Sequence, residues 1–156
     1  MRLAPGLSGY DPSVTMSRES QPARATRREF TLELGPDPRN VPIARHTLAR
    51  KARTWGLSPV QTRPVALLAS ELLAQALIYA VSNLLLTARF DGRTLWVGVS
   101  GRMSDEPQRL ARVAGPALRR SEAILSAMSR SHGIDRDGMG ETLWFELDTA
   151  RLPWDG

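Results

Sequence analysis

The sequence predicts an α+β two-layer sandwich, with helices on one face of a mixed, largely antiparallel sheet. Three observations carry that expectation. Short runs of period-two alternation flank turn dipeptides, the pattern of half-buried strands joined in hairpins. Other segments repeat apolar residues at spacings of three and four, as amphipathic helices do. One run, Val65 to Val81, is apolar nearly all round and suits a central, buried helix.

Residues 1–25 hold Gly, Pro, Ser, Gln and Arg with hardly any apolar period, which predicts a flexible N-terminal arm before a domain over 26–150. Arg28 to Gly35, REFTLELG, sets Phe30, Leu32 and Leu34 against polar residues, a strand that Pro36-Asp37-Pro38 breaks. Val41, Ala44, Leu48, Ala52 and Trp55 mark a helix ringed by Arg45, Arg50, Lys51 and Arg53 and ended by Gly56. Ser58-Pro59 and Pro64 sit at the opening of the long apolar helix. Asn83–Phe90 and Thr94–Ser100 flank Asp91-Gly92, which predicts a tight hairpin. Gly101 to Pro116 has no period and reads as a mobile loop. Ala117 to His132 carries Leu118, Ile124, Leu125 and Met128 on one side, a third helix. Gly133–Asp137 and Thr142–Leu147 then pair around DGMG, and a tail follows over 151–156. Trp55, Trp96 and Trp144 fall where periodicity places core residues; only Trp154, in the tail, invites an interaction reading.

Composition narrows the function classes. A chain of 156 residues suits a single domain with a real core. The apolar run falls short of the roughly 20 residues that span a bilayer, and Glu71 interrupts it, so no membrane role is expected. With no cysteine there is neither a disulfide framework nor thiolate chemistry, which fits a cytoplasmic protein. The net charge of +5 is uneven: up to Arg53 there are ten basic and five acidic residues, and beyond it eleven of each. No RNA-binding aromatic pattern or zinc-finger spacing accompanies that excess, so nucleic acid is not the expected partner. His46 and His132, the only histidines, fall on different predicted helices and make no metal motif.

One feature of the central helix asks for chemistry. Glu71 and Gln75 are four residues apart, hence on one helical face, in surroundings otherwise almost wholly apolar. A buried carboxylate needs a partner. Ser70 beside Glu71 is no nucleophile–base pair, since adjacent helix positions diverge.

Three strings carry a family resemblance. PRNVPIARHTLARKARTWGL resembles the opening helix, SELLAQALIYA the glutamate-bearing helix, and GETLWFEL the closing strand of the histidine-kinase-like ATPase family. The likeness is to its small stand-alone members in actinobacteria, the anti-sigma factor serine/threonine kinases, and covers about Glu29 to Leu147. It implies a Bergerat-like sandwich. It further implies Glu71 as the base of phosphoryl transfer and Gln75 at the magnesium-ligand position, where the family has asparagine. Gly101 falls where the family has the aspartate that reads adenine, and it offers no acceptor. Arg119-Arg120-Ser121-Glu122 replace a Gly-Arg-Gly-Leu phosphate cradle, Thr142 matches a position near the phosphates, and Tyr79 stands where histidine is usual.

The resemblance therefore implies a regulatory, anti-sigma-factor-like protein with a degenerate ATP site, acting in transcriptional control by binding a sigma factor or an anti-sigma antagonist, and able to form a homodimer. No cofactor is expected; ATP and magnesium would bind only if the site works. The alternatives are an active magnesium-ATP-dependent serine/threonine kinase that phosphorylates an antagonist, and a basic nucleic-acid binder.

Overall fold

The structure, a computed structural model, describes residues 27–105 and 111–151. The predicted arm, Trp154 and all of the tail beyond Arg151 lie outside the described residues. The elements run β1 (Arg28–Leu34), α1 (Asn40–Thr54), α2 (Pro59–Tyr79), β2 (Leu84–Phe90), β3 (Thr94–Gly101), α3 (Ala111–Met128), β4 (Ser131–Asp137) and β5 (Gly140–Asp148). The predicted α+β sandwich is what forms.

The five strands make one sheet in the order β1-β2-β3-β5-β4, and every neighbouring pair is antiparallel. Among the described residues the expected mixed character is absent, for a topological reason. The crossover through α3 joins β3 to β4, which run the same way, but β5 folds back from β4 and inserts between them.

Local signals account for most boundaries. At the end of α1 the Leu57 N–H reaches Ala52 O at 3.1 Å and the Gly56 N–H reaches Arg53 O at 2.9 Å, a Schellman closure that needs the positive φ of Gly56, 103°. Ser58 caps α2: its Oγ accepts the Gln61 N–H at 3.2 Å, and Gln61 Oε1 accepts the Ser58 N–H at 2.8 Å. Gln61 Nε2 also donates to Thr149 O at 2.9 Å, tying the helix start to the end of β5. In the β2–β3 turn the Asp91 carboxylate accepts the N–H groups of Arg93 and Thr94 at 2.9 and 2.7 Å. Those bonds hold its carboxyl below the usual range.

Two predicted boundaries need correction. The segment after β3 is not a loop as far as Pro116, because α3 starts at Ala111; residues 106–110 lie outside the described set. Gly115 and Pro116 misdirect the reading. Pro116 is the sixth residue of its helix, as Pro64 is of α2, and there a proline removes one intrahelical bond without ending the helix. Correspondingly α3 stops at Met128, so His132 lies on β4.

The core lies between sheet and helices. Val65, Leu68, Ala69, Leu72, Leu73 and Ala76 of α2 are at most 1% exposed, which makes α2 the central helix as expected. They meet Leu86, Ala88, Val97 and Phe145 of the sheet, and Trp55 stacks on Phe90 with ring centroids 6.2 Å apart. Trp96 and Trp144 do not join them. In register they pair with Arg89 and Glu146, and with Gly98 and Gly133, which places both indoles on the face away from the helices.

Candidate functional site

Glu71, Gln75 and Tyr79 follow one another at four-residue steps along α2, on the side that meets α3. Ser121, only 2% exposed, stands opposite on α3 and donates its hydroxyl to Glu71 Oε1 at 2.6 Å. The carboxylate thus has the partner it needs, and the partner is one of the residues singled out in the sequence. Gln75, 8% exposed, sits one turn further along and reaches the edge of a cleft.

That cleft has a volume of about 810 Å³. The end of α2 and the middle of α3 wall it through Gln75, Tyr79, Leu118, Arg119 and Glu122, and Ile134 and Leu143 of the sheet make its apolar floor. Met103, Ser104 and Asp105 close one side. They are held there by the backbone: Val81 N–H donates to Arg102 O at 2.9 Å, and Ser104 N–H to Tyr79 O at 2.8 Å. At the far rim Arg136 pairs with Glu141 at 2.9 Å, and His132 Nε2 meets Glu122 Oε2 at 2.6 Å.

The remaining sequence candidates scatter. Gly101 ends β3 and offers no acceptor, and a Cβ there would stand 2.8 Å from Leu84 Cδ2 and 3.1 Å from Asn83 O, so a side chain would enter only as the Leu84 side chain and the Asn83 carbonyl gave way. Thr142 turns to the opposite face of the sheet, where its hydroxyl and that of Ser100 bond at 2.8 Å. Arg119 lines the cleft, whereas Arg120 is exposed outside it. His46 is exposed on α1, remote in sequence and element from His132 on β4.

Residues 119–122 also lack the backbone geometry of a phosphate cradle. A helix leaves only its first four N–H groups unbonded, and α3 begins eight residues before Arg119. The amides at 119–122 are inside the helical ladder. Among the described residues the charged side chains lining the cleft are Arg119 and Arg136 against Asp105, Glu122 and Glu141, a mixed set and not the positive field a polyphosphate requires. Among the described residues the fit to magnesium-ATP is poor: Glu71 is engaged by Ser121, Gln75 is nearly buried, and residues 119–122 form no phosphate cradle.

Sequence reasoning missed Asp105, Ile134, Arg136 and Glu141. The last three were within reach, because a two-residue Gly138-Met139 turn sets Asp137 opposite Gly140, hence Arg136 opposite Glu141 and Ile134 opposite Leu143. Asp105 gave no signal, since only tertiary bonds bring it to the cleft.

Fold and site together define an α+β protein with a mixed-charge cleft between two helices and the end of an antiparallel sheet. The chain matches no protein-family model and no curated protein.

Proposed function

We propose that this protein is a non-catalytic regulatory module of the anti-sigma-factor type, descended from a histidine-kinase-like ATPase and acting in transcriptional control by binding a protein partner. The observation that carries the proposal is the 2.6 Å bond from Ser121 to Glu71 inside a continuous α3. At the place where a phosphate-binding turn would open, a helix runs through, and its serine occupies the carboxylate that would act as base.

The partner-binding surface is proposed on α1. Its fifteen residues include Arg45, Arg50, Lys51 and Arg53 and no acid. Arg45 leans toward Ser70 Oγ at 3.5 Å and Lys51 lies over the Phe30 ring at 5.5 Å, which leaves Arg50 and Arg53 turned to solvent for an acidic partner.

Thermal unfolding with and without magnesium-ATP or ADP at millimolar concentration tests the reading. A ligand at 100 times its dissociation constant stabilises by about 2.7 kcal/mol, equivalent to roughly 5–10 °C for a chain of this size. The expected result is no shift with either nucleotide. A magnesium-dependent rise of that size overturns the proposal and favours the active kinase.

A further inference from the structure

The sheet face turned away from the helices carries charge opposite to that of the chain. The pairing register places Glu29, Glu33, Asp135, Asp137, Glu146 and Asp148 on that face, with Arg89 as the one strand residue of positive charge there. The whole chain is +5. A local reversal against the net charge is a property of the surface, not of composition.

Two indoles lie among these carboxylates, each laid across a glycine. A Cβ on Gly98 would meet the six-membered ring of Trp96 at 2.4–3.0 Å, and one on Gly133 would meet Trp144 at 3.1–3.3 Å. Gly98, Trp144 and Gly133 form one cross-strand row. The two rings therefore sit side by side about two strand spacings apart, on the order of 10 Å.

The first ring already shows what it binds. The Arg89 guanidinium lies 4.7 Å from the Trp96 ring centroid, and Glu29 holds it through Arg89 Nε at 3.2 Å. A cation on an indole face, fixed by a carboxylate, is an attractive arrangement because the ring's negative face and the acid act on the same charge. Trp144 has the ring and the acids. Its Nε1 donates to Asp135 Oδ1 at 3.3 Å, and Glu146 follows two residues later on the same face, accepting from Ser131 Oγ at 3.3 Å. Among the described residues no cation lies over it.

We infer that Trp144, Asp135 and Glu146 form a docking site for an arginine side chain on a basic segment of a partner protein, repeating in trans the Arg89–Trp96–Glu29 arrangement. Charge complementarity selects this occupant. Phosphates of a nucleic acid are repelled by the carboxylates, and a second copy docked face to face would set acid against acid. The site lies on the opposite side of the sheet from the cleft and does not depend on the nucleotide argument.

The test is an NMR titration of the full-length, ¹⁵N-labelled protein with a short alternating Arg-Gly peptide, alongside its Glu-Gly counterpart. The Trp144 indole N–H should shift saturably with the arginine peptide alone, and the effect should weaken with salt. The double variant Asp135→Asn, Glu146→Gln keeps side-chain shape and should weaken binding roughly tenfold while its melting temperature stays close to that of the parent. An unmoved Trp144 indole at millimolar peptide overturns the inference, whether the face binds no cation or the chain's own residues 1–26 already cover it. An equal response to the acidic peptide, or undiminished binding by the double variant, overturns it as well.

Discussion

Ser121 Oγ lies 2.6 Å from Glu71 Oε1, so fifty residues of chain separate a buried hydroxyl from the carboxylate it satisfies. The bond joins α3 to the central helix. It also explains why Glu71 is tolerated beside so many apolar neighbours, since hydrogen bonding to the charged form offsets its loss of water.

Replacing Ser121 by alanine leaves Glu71 without that donor. Because Glu71 retains partial exposure, the expected loss is about 1–2 kcal/mol in urea unfolding, at the lower part of the range for bonds to charged groups. Glu71→Ala should cost little more when combined with Ser121→Ala than alone, and a double-mutant cycle measures that coupling. Additive effects would show that the bond contributes nothing.

Gly140 has a φ of 151°, and a Cβ there would stand 2.6 Å from Gly101 O, a backbone atom that cannot swing aside. Gly140→Ala should therefore destabilise by about 2–3 kcal/mol, from the strained conformation and the displaced strand together. Chemical denaturation gives the value. Gly138→Ala, where nothing stands within 4 Å, is the control and should change stability far less.

Gln61 serves two elements, through the Ser58 N–H and through Thr149 O. Gln61→Ala should cost about 1–2 kcal/mol, more than an ordinary cap residue contributes at its low end. Hydrogen exchange should locate the effect both at the start of α2 and at the end of β5. Loosening confined to the helix would mean that the Thr149 bond is not formed in solution.

Asp91 and Asp148 are both held below the usual carboxylate range. For Asp91 the cause is the N–H groups of Thr94 and Arg93, and for Asp148 it is the Arg93 side chain followed by the Ala150 N–H. A depressed folded pKa means that the stabilisation is present above the unfolded value, about 3.9, and is lost as pH falls through the folded one. Stability should thus decline with acidification through and below about pH 4. Asp91→Ala should flatten that decline; an unchanged slope would show that the turn carboxylate is not perturbed.

Much of this molecule is legible in its sequence because periodicity and turn chemistry are local. Asp91-Gly92, the capping serine of α2 and Gly56 each act within a few residues, and they place the hairpin, the helix start and the helix end without reference to anything distant. The alternation in REFTLELG and the all-round apolarity of Val65 to Val81 likewise foretell a strand and a central helix.

Which face of a strand is buried is another matter. TLWVGVS carries large residues on both sides, Leu95, Val97 and Val99 on one and Trp96 on the other, and only the helices decide that the first set is the core. For the same reason Thr142 and Trp144 turn away from the cleft. Pro116 misled because, near the start of a helix, a proline removes one intrahelical bond without ending the helix. The sequence by itself determined the α+β class, the element order and the presence of a polar pair on one helical face. Only the tertiary structure decided that Ser121 closes on Glu71, that Asp105 reaches the cleft and that two tryptophans face outward, because each is a contact between segments far apart in the chain, invisible to any local period.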